Sequence, residues 1–243
     1  MVDFTVIGPG RAGRSFAAAL TARGWRLHAL LGRHDDVSLA ASASLVLVTV
    51  PDDEIATVAR RIEPGDGVVV HTSGAKGLDV LAPHRRRGSV HPLISLPDAD
   101  IGAQRLAENA VFAVDGDPLA AELVAALGGR AVRVPDEHRA RYHATAAVAA
   151  NHLVVLCAQV ERLAADIGVP VDAYWGLMSG TLENVRSAGA LSSLTGPAAR
   201  GDGQTLRQHV DALPPHEHEL YITLAREAAR LADRPVPEEW LSR

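Results

Sequence analysis

The residues with the clearest chemical meaning are three glycines in the segment Gly8-Pro9-Gly10-Arg11-Ala12-Gly13. They form a G-x-G-x-x-G pattern between a short β-rich run, 4–7, and an apolar run with helical spacing, 14–22. In this context the first glycine permits a tight turn, the second lets the backbone approach a pyrophosphate, and the third lets helix and strand pack closely. The pattern predicts dinucleotide binding by Gly8, Pro9, Gly10, Arg11, Ala12 and Gly13. A glycine turn that has lost its ligand is the alternative.

The residue that selects the dinucleotide is expected about twenty residues beyond the glycines, at the end of the second strand. The chain has Leu31-Gly32-Arg33-His34 there, without the acid that would bind the ribose hydroxyls of NAD. A guanidinium can pair with a 2′-phosphate, so Arg33 predicts that NADP(H) is preferred over NAD(H). Asp35 and Asp36 follow directly and leave open that Arg33 is an ordinary loop arginine.

Polar clusters end three later strand-like runs: Val50-Pro51-Asp52, His71-Thr72-Ser73 and His91-Pro92. Because ligands of open α/β sheets bind outside the carboxyl ends of the strands, the His71 and His91 clusters are expected to face the crevice, and the turn at Val50 is expected to present its backbone to the cofactor. Turn formation, helix capping and a structural histidine are the alternatives. The predicted cofactor contacts are Val50, Pro51, Asp52, His71 and Thr72, and the predicted substrate contacts are Ser73 and His91.

A long helical run, 136–167, carries His143 and Asn151 among alanines and valines. The two residues are eight positions apart and therefore lie within about 80° on one side of the helix. Polar groups on a buried face need partners, and a ligand can be that partner. A histidine can act as general acid towards a carbonyl oxygen, and an asparagine can orient that oxygen. We predict that His143, Asn151 and His91 are catalytic and that Asn151 also binds substrate; bonds to neighbouring backbone are the alternative.

Arg200 is a second candidate for contact with substrate, because a guanidinium binds a carboxylate through two hydrogen bonds. A loop salt bridge with Asp202 is its alternative. His216 and His218 are two residues apart and do not share a helix face, so no metal site is predicted.

Composition restricts the class of protein. The 243 residues are 47% hydrophobic and 22% charged, with a formal net charge of -5, which is typical of soluble globular chains and argues against nucleic-acid or anionic-membrane partners. The apolar stretch 144–158 is interrupted by Asn151 and His152 and is expected to be too short for a bilayer. The single cysteine, Cys157, excludes an internal disulfide. With no secretory signal in the first residues, a cytoplasmic protein with a small-molecule substrate is expected.

Alternating strand and helix patterns predict an α/β fold for residues 1–135: a Rossmann-like, doubly wound, mostly parallel sheet. Its predicted helices include 53–62, 78–85 and 118–127. After Pro135 the strand signals stop, and helices are predicted over 136–167, 172–187, 203–213 and 215–231. Residues 136–243 are therefore predicted to form an all-helical domain.

The order of these motifs, GxGxxG, VPDD, HTSG, HPL, a long helix with His and Asn, and TGPxxRGD, resembles a family of Rossmann-like oxidoreductases with a helical C-terminal domain of formerly unknown function. More distantly it is similar to pyrroline-5-carboxylate reductase, prephenate dehydrogenase and deazaflavin-dependent NADP oxidoreductases, which share a helical domain of the 6-phosphogluconate dehydrogenase type. The resemblance implies hydride transfer with a nicotinamide cofactor and a homodimer formed through the helical domain. Some members of the closest family look like alternative ketopantoate reductases of pantothenate biosynthesis.

One departure concerns the catalytic lysine. Hydroxyacid dehydrogenases of this wider group use a lysine one helical turn before an asparagine, but Ala147 stands at that position before Asn151, and the single lysine of the chain is Lys76. We expect an NADP-dependent reductase of a small 2-oxo acid, with ketopantoate as the leading substrate. An imine reductase similar to pyrroline-5-carboxylate reductase and a non-catalytic NADP(H) sensor are the alternatives.

Overall fold

The structure is a computed structural model that describes residues 2–235. The chain divides into two compact units, Met1–Asn151 and His152–Arg243. The predicted domain boundary before residue 136 stays a prediction. Residues 236–243 of the predicted helical domain lie outside the described residues.

The first unit is built on one seven-stranded sheet. Its strands are β1 (Asp3–Ile7), β2 (Arg26–Leu31), β3 (Leu45–Val48), β4 (Val68–His71), β5 (Arg87–Pro92), β6 (Val111–Gly116) and β7 (Arg130–Arg133). The order is β2-β1-β3-β4-β5-β6-β7, and all neighbours are parallel except β5 and β6. The predicted doubly wound, mostly parallel sheet is confirmed. Its winding reverses between β1 and β3, which opens a crevice at the carboxyl ends of these strands.

Both faces of the sheet are covered, which explains the unbroken apolar runs of the central strands. In β3, Leu45 and Leu47 belong to one buried cluster, together with Phe16, and Val46 and Val48 belong to another. All four β3 side chains are buried. The sheet is thus a rigid platform for the loops at its carboxyl edge.

Five α-helices complete this unit: α1 (Arg11–Ala22), α2 (Ile55–Arg61), α3 (Ala99–Ala107), α4 (Pro118–Leu127) and α5 (Arg139–Ala147). The local sequence sets their ends. For example, Asp117 accepts a hydrogen bond from the Leu119 N–H at the start of α4, and Gly128 adopts a left-handed conformation at its end.

Two segments differ from the sequence prediction. The predicted helix 78–85 is wrong: only a 3-10 turn, Leu78–Leu81, forms, because Pro83 disfavours helical geometry at Ala82, which is extended. Helix α3 was not predicted; Asp98 caps it by accepting hydrogen bonds from two backbone N–H groups. That cap is the sequence signal for α3.

The predicted long helix after Pro135 is confirmed as a run of helical segments, Asp136–Asp166. A 3-10 turn, Asp136–His138, leads into α5, and a π-helical segment, Val148–His152, leads into α6 (Leu153–Asp166). Among the described residues, this is the one helix that is long and apolar enough to cross a membrane. The expectation that the stretch 144–158 is too short therefore does not hold for the whole helix. Only 6% of its most apolar 18-residue segment is buried.

The second unit contains α6, α7 (Asp172–Ala188), α8 (Ala190–Ser193), α9 (Pro197–Arg200), α10 (Gly203–Ala212) and α11 (His218–Leu231). Its described residues contain no strand, as predicted. A small core joins Ala198 and Leu206 to residues of α11. No described residue of α7 is buried, so this long helix gains little from packing within the unit.

Candidate functional site

The glycine turn joins β1 to α1 in the predicted position. Gly8 has φ 105°, a backbone conformation that favours glycine. A Cβ on Gly13 would lie 2.1 Å from the carbonyl oxygen of Gly8, so helix and strand approach closely at this point. A Cβ on Gly10, in contrast, would meet no atom within 4 Å. Packing therefore explains Gly13, while Gly10 borders open space in which a ligand fits.

A cavity of about 410 Å³ lies beside this turn; we call it the glycine-turn cavity. Helix α1 begins there without a side-chain cap and without an acidic residue in its first turn, and such a helix N-terminus favours an anion. Arg11 and Ala12 occupy that first turn. The cavity is lined by Ile7, Gly8, Pro9, Gly10, Gly32, Arg33, Val37, Thr49, Val50, Pro51, Glu54, Val58 and Arg61.

Three charged residues line the glycine-turn cavity, Arg33, Glu54 and Arg61, and the first two are paired with each other. Arg33 Nη2 lies 2.6 Å from Glu54 Oε1. Asp35 accepts a hydrogen bond from the Gly32 N–H at 2.7 Å, and Asp36 accepts bonds from the N–H and hydroxyl of Ser38. Both acids that follow Arg33 are therefore engaged in local turns. Arg33 and Glu54 are the charged pair available to a ligand.

A second cavity, of about 440 Å³, brings together the three predicted catalytic residues; we call it the histidine cavity. His91 reaches it from the end of β5, His143 from α5 and Asn151 from the π-helical segment. Single π turns occur often at functional sites. Ala147, at the position of the missing lysine, also lines it. The other lining residues are Pro92, Leu93, Ile94, Ser95, Ala146, Ala149 and Ala150.

His91 is held by aromatic neighbours. Its Nδ1 lies 2.6 Å from the hydroxyl of Tyr142, and its ring is 6.2 Å from that of His143, nearly perpendicular to it. Burial lowers the pKa of His91 to about 4, and the charges of His143 and Arg139 act in the same direction. Burial also raises the pKa of Tyr142 to about 12. His91 is therefore neutral near pH 7.

His71 and Ser73 are buried in a hydrogen-bond network. The Ser73 hydroxyl donates to Asp52 Oδ2 at 2.7 Å and accepts from the N–H groups of Ala75 and Lys76. These three bonds fill the capacity of a hydroxyl. The geometry therefore favours a positioning role for Ser73 over its predicted contact with substrate.

His71 has a similar structural setting. Its Nδ1 accepts from the Ser73 N–H at 3.2 Å, so its Nε2 donates to the Gly77 carbonyl, also at 3.2 Å. Burial, followed by the charge of Arg139, lowers the pKa of His71 to about 4. His71 is fully buried, which favours a role in shaping the loop over cofactor contact. Thr72 is half-buried beside it.

Two residues beside these cavities, Arg139 and Tyr142, were not predicted from the sequence. Arg139 is 1% exposed and donates hydrogen bonds to the Ser73 carbonyl, the Ser89 hydroxyl and the Asp136 carboxylate. It thus links the loop after β4, strand β5 and the start of α5. Nothing in the sequence distinguishes Arg139 from a surface arginine. Tyr142, in contrast, directly precedes His143, and this position in the sequence indicates that it lies near the site.

Arg200 lies in the second unit, at the end of α9. The alternative salt bridge with Asp202 is not formed in the described part of the chain; instead Asp202 caps α10 by accepting bonds from Thr205. The role of Arg200 in substrate binding stays a prediction. Among residues 2–235 no group of three or more histidine, cysteine or acidic side chains could hold a metal ion.

The sheet order and glycine turn define a Rossmann-like domain, and family comparison agrees. Residues 33–97 match the model of the Rossmann-like domain. Residues 110–228 match the model described as domain of unknown function DUF2520. The chain is therefore a Rossmann-like protein with a DUF2520 domain, and the class that the sequence resemblance implied is confirmed.

Solved structures share this fold over almost the whole chain. A Bacteroides fragilis protein with the provisional name NADP oxidoreductase is 20% identical, with a TM-score of 0.80 over 94% of this chain and 98% of its own. A Thermotoga maritima protein is 24% identical, with a TM-score of 0.70 over 95% and 98%. Pyrroline carboxylate reductase from Plasmodium falciparum, solved with NADP bound, is 10% identical, with a TM-score of 0.62 over 95% and 98%. No curated protein matches the sequence significantly.

Proposed function

We propose that this protein is an NADP-dependent oxidoreductase that reduces a small 2-oxo acid. The observation that carries the proposal is that His91, His143 and Asn151, distant in sequence, line one cavity. That cavity belongs to the same unit as the glycine turn, at the carboxyl edge of the sheet where ligands of such folds bind.

The features of the glycine-turn cavity support binding of a dinucleotide. Gly10 leaves open space at the uncapped N-terminus of α1, where a pyrophosphate would be bound by backbone N–H groups. The names of two structures with the same fold, one an NADP oxidoreductase and one a reductase with NADP bound, support a nicotinamide cofactor. When bound, a reduced nicotinamide supplies hydride to the substrate carbonyl carbon.

Preference for NADP(H) is supported by the charges around Arg33. Asp35 and Asp36 accept hydrogen bonds within their own turns, and neither lines the glycine-turn cavity where the ribose hydroxyls of NAD would lie. Arg33 and Arg61 both line the glycine-turn cavity. Two guanidinium groups can bind a 2′-phosphate together, and Arg33 can release the Glu54 carboxylate to bind that phosphate.

The residues of the histidine cavity match reduction of a carbonyl group. A substrate oxygen would accept hydrogen bonds from His91 and Asn151, and His143, or a water held by Asn151, would donate the proton that the oxygen gains. The described lining contains no arginine or lysine. We propose ketopantoate as the leading substrate, and the binding of its carboxylate by Arg200 stays a prediction.

A second candidate, reduction of a C=N bond, is favoured by the neutrality of His91. Burial lowers its pKa to about 4, so it is a weak acid at pH 7. A protonated imine needs no strong acid, because its nitrogen already carries the proton. The small alanine-rich lining would accept a cyclic imine as readily as a 2-oxo acid.

We also propose that the protein is a homodimer formed through its helical unit. Trp175 and Leu182 of α7 and Val154 of α6 are 43%, 54% and 66% exposed. Large apolar side chains that stay exposed on consecutive helices of one unit suggest a surface that another molecule covers. Isologous contact with a second copy is the commonest way to cover it.

The experiment that tests the activity is NADPH consumption by the purified protein with a panel of 2-oxo acids, including ketopantoate, and cyclic imines. NADPH and NADH binding is measured in parallel by fluorescence. Turnover of a 2-oxo acid supports the first proposal, and turnover of imines alone supports the second. Tight NADPH binding without turnover across the panel would favour a non-catalytic sensor, and failure to bind either nucleotide would overturn the proposal.

A further inference from the structure

We propose that Tyr142 is a positioning residue that fixes His91 as a neutral imidazole with its proton on Nε2, directed into the histidine cavity. His91 then donates a hydrogen bond to the oxygen of the substrate. This inference rests on the proposed function for its catalytic consequence, but the arrangement of His91 and Tyr142 is a property of the free protein.

The first argument is geometric. Tyr142 lies on α5, one residue before His143, and its hydroxyl is 2.6 Å from His91 Nδ1. The two rings are perpendicular, with centroids 5.6 Å apart. Because α5 and β5 are separate elements of one unit, this bond determines the rotation of the His91 ring.

The second argument assigns the donor. A phenol is a stronger acid than the N–H group of neutral imidazole, so the hydroxyl of Tyr142 donates and Nδ1 of His91 accepts. Burial raises the pKa of Tyr142, which keeps the phenol protonated. A neutral imidazole that accepts at Nδ1 carries its own proton on Nε2.

The third argument concerns the free side of the ring. His91 Nε2 has no hydrogen-bond partner among the described residues, and His91 lines the histidine cavity. Gly74 lies against this edge: a Cβ there would be 3.0 Å from His91 Nε2 and 2.9 Å from His143 Cδ2. The absence of a side chain at Gly74 leaves room for the two histidine rings side by side.

These features give His91 and His143 different roles. Transfer of the Nε2 proton would leave His91 as an imidazolate, so His91 acts as a hydrogen-bond donor that stabilises negative charge on the oxygen. The proton that ends on the product oxygen comes from His143 or from water. This division explains why both histidines line one cavity.

The test is nitrogen NMR of the protein labelled with ¹⁵N-histidine, recorded near pH 7 without ligand. The His91 signals are assigned by their loss in His91→Gln. We expect a protonated Nε2 and an unprotonated Nδ1 in the wild type, and substantial population of the Nδ1–H tautomer in Tyr142→Phe. A matched control is Tyr221→Phe, because Tyr221 makes a similar 2.6 Å bond to Nδ1 of His209; it should leave the His91 signals unchanged.

A kinetic measurement completes the test. With a substrate from the panel, Tyr142→Phe should lower kcat about tenfold with little change in KM, the loss expected for one hydrogen bond that positions a reacting group. An Nδ1–H tautomer in the wild type, or an unchanged Nε2–H tautomer in a folded Tyr142→Phe, would overturn the inference. Since the tautomer of the wild type is read without ligand and needs no turnover, this failure is distinct from failure of the proposed activity.

Discussion

Arg33 and Glu54 form an ion pair of 2.6 Å at the edge of the glycine-turn cavity, between the end of β2 and the start of α2. Both side chains are substantially exposed, so the pair adds little to stability. A 2′-phosphate can replace the Glu54 carboxylate as the partner of Arg33. In the proposed complex with NADP(H), Glu54 would thus compete with the 2′-phosphate for this guanidinium.

The first prediction follows from this competition. Arg33→Gln should weaken NADPH binding by about 10- to 100-fold, the loss of a charge-assisted hydrogen bond, and should leave NADH binding within about twofold. Glu54→Gln should strengthen NADPH binding, because Arg33 loses its internal partner. Fluorescence titration with both nucleotides measures these constants. Equal losses for NADPH and NADH in Arg33→Gln would contradict the role of Arg33.

The second prediction separates the two functions of the glycine turn. Gly10→Val should abolish nucleotide binding and lower Tm less than Gly13→Ala does, since a Cβ at Gly10 meets no protein atom within 4 Å. Gly13→Ala should lower Tm as well, because its Cβ would lie 2.1 Å from the carbonyl oxygen of Gly8. Thermal unfolding and nucleotide titration of both variants measure these two effects. Retained binding in a folded Gly10→Val would place the nucleotide elsewhere.

The third prediction concerns catalysis. His143→Ala and Asn151→Ala should each lower kcat by about 10²- to 10⁴-fold, the range for loss of acid–base or oxyanion contacts, with NADPH affinity within about twofold of wild type. His152→Ala is the control: this histidine is next to Asn151 in sequence but does not line the cavity. If His152→Ala lost as much activity as Asn151→Ala, the loss would reflect a general disturbance of the helix and would contradict a specific role of Asn151.

The fourth prediction is a pH dependence of stability. His71 and His91 have folded-state pKa values of about 4, below 6.5, so the unfolded chain binds more protons between these pH values. The stability they confer is present above pH 6.5 and is lost as pH falls towards 4, by about 3 kcal/mol for each group. Urea unfolding at several pH values should show this decrease. His71→Gln should reduce its slope by up to about 1.4 kcal/mol per pH unit, and an unchanged slope would contradict a buried neutral His71.

The fifth prediction tests the proposed dimer. Leu182→Glu on α7 should shift the protein from dimer to monomer in light scattering, because a charge would then be buried at the interface. Glu183→Gln changes the next residue, which is exposed, and should leave the mass unchanged. A wild-type monomer at micromolar concentration would contradict the dimer directly.

The sequence predicted most of the sheet because its strands are local apolar runs bounded by turn residues, as in Leu45–Val48. It also predicted the glycine turn and the shared location of His91, His143 and Asn151, since strand ends and helix periodicity are local patterns. It failed at 78–85, where Pro83 outweighed an apolar pattern, and at α3, where the cap at Asp98 was the signal.

The contacts that the sequence did not reveal are long-range pairings. Arg139 bonds to Ser89, fifty residues away, and Tyr142 bonds to His91, fifty-one residues away. Such pairs depend on how α5 packs beside β5, which no local pattern specifies. The same holds for Ser73, whose contact with Asp52 became visible only in the folded chain.

A single-turnover reaction measures most directly whether the protein uses NADPH to reduce a substrate and whether His143 takes part. Protein in excess over NADPH is mixed with the best substrate of the panel, and the loss of bound NADPH is followed by fluorescence for the wild type and for His143→Ala. We predict that the wild type consumes the bound NADPH in one phase and that His143→Ala binds it equally well but reacts at least about 100-fold more slowly. Equal rates in the two proteins would contradict His143 as the proton donor, and bound NADPH that no substrate consumes would contradict the proposed reduction.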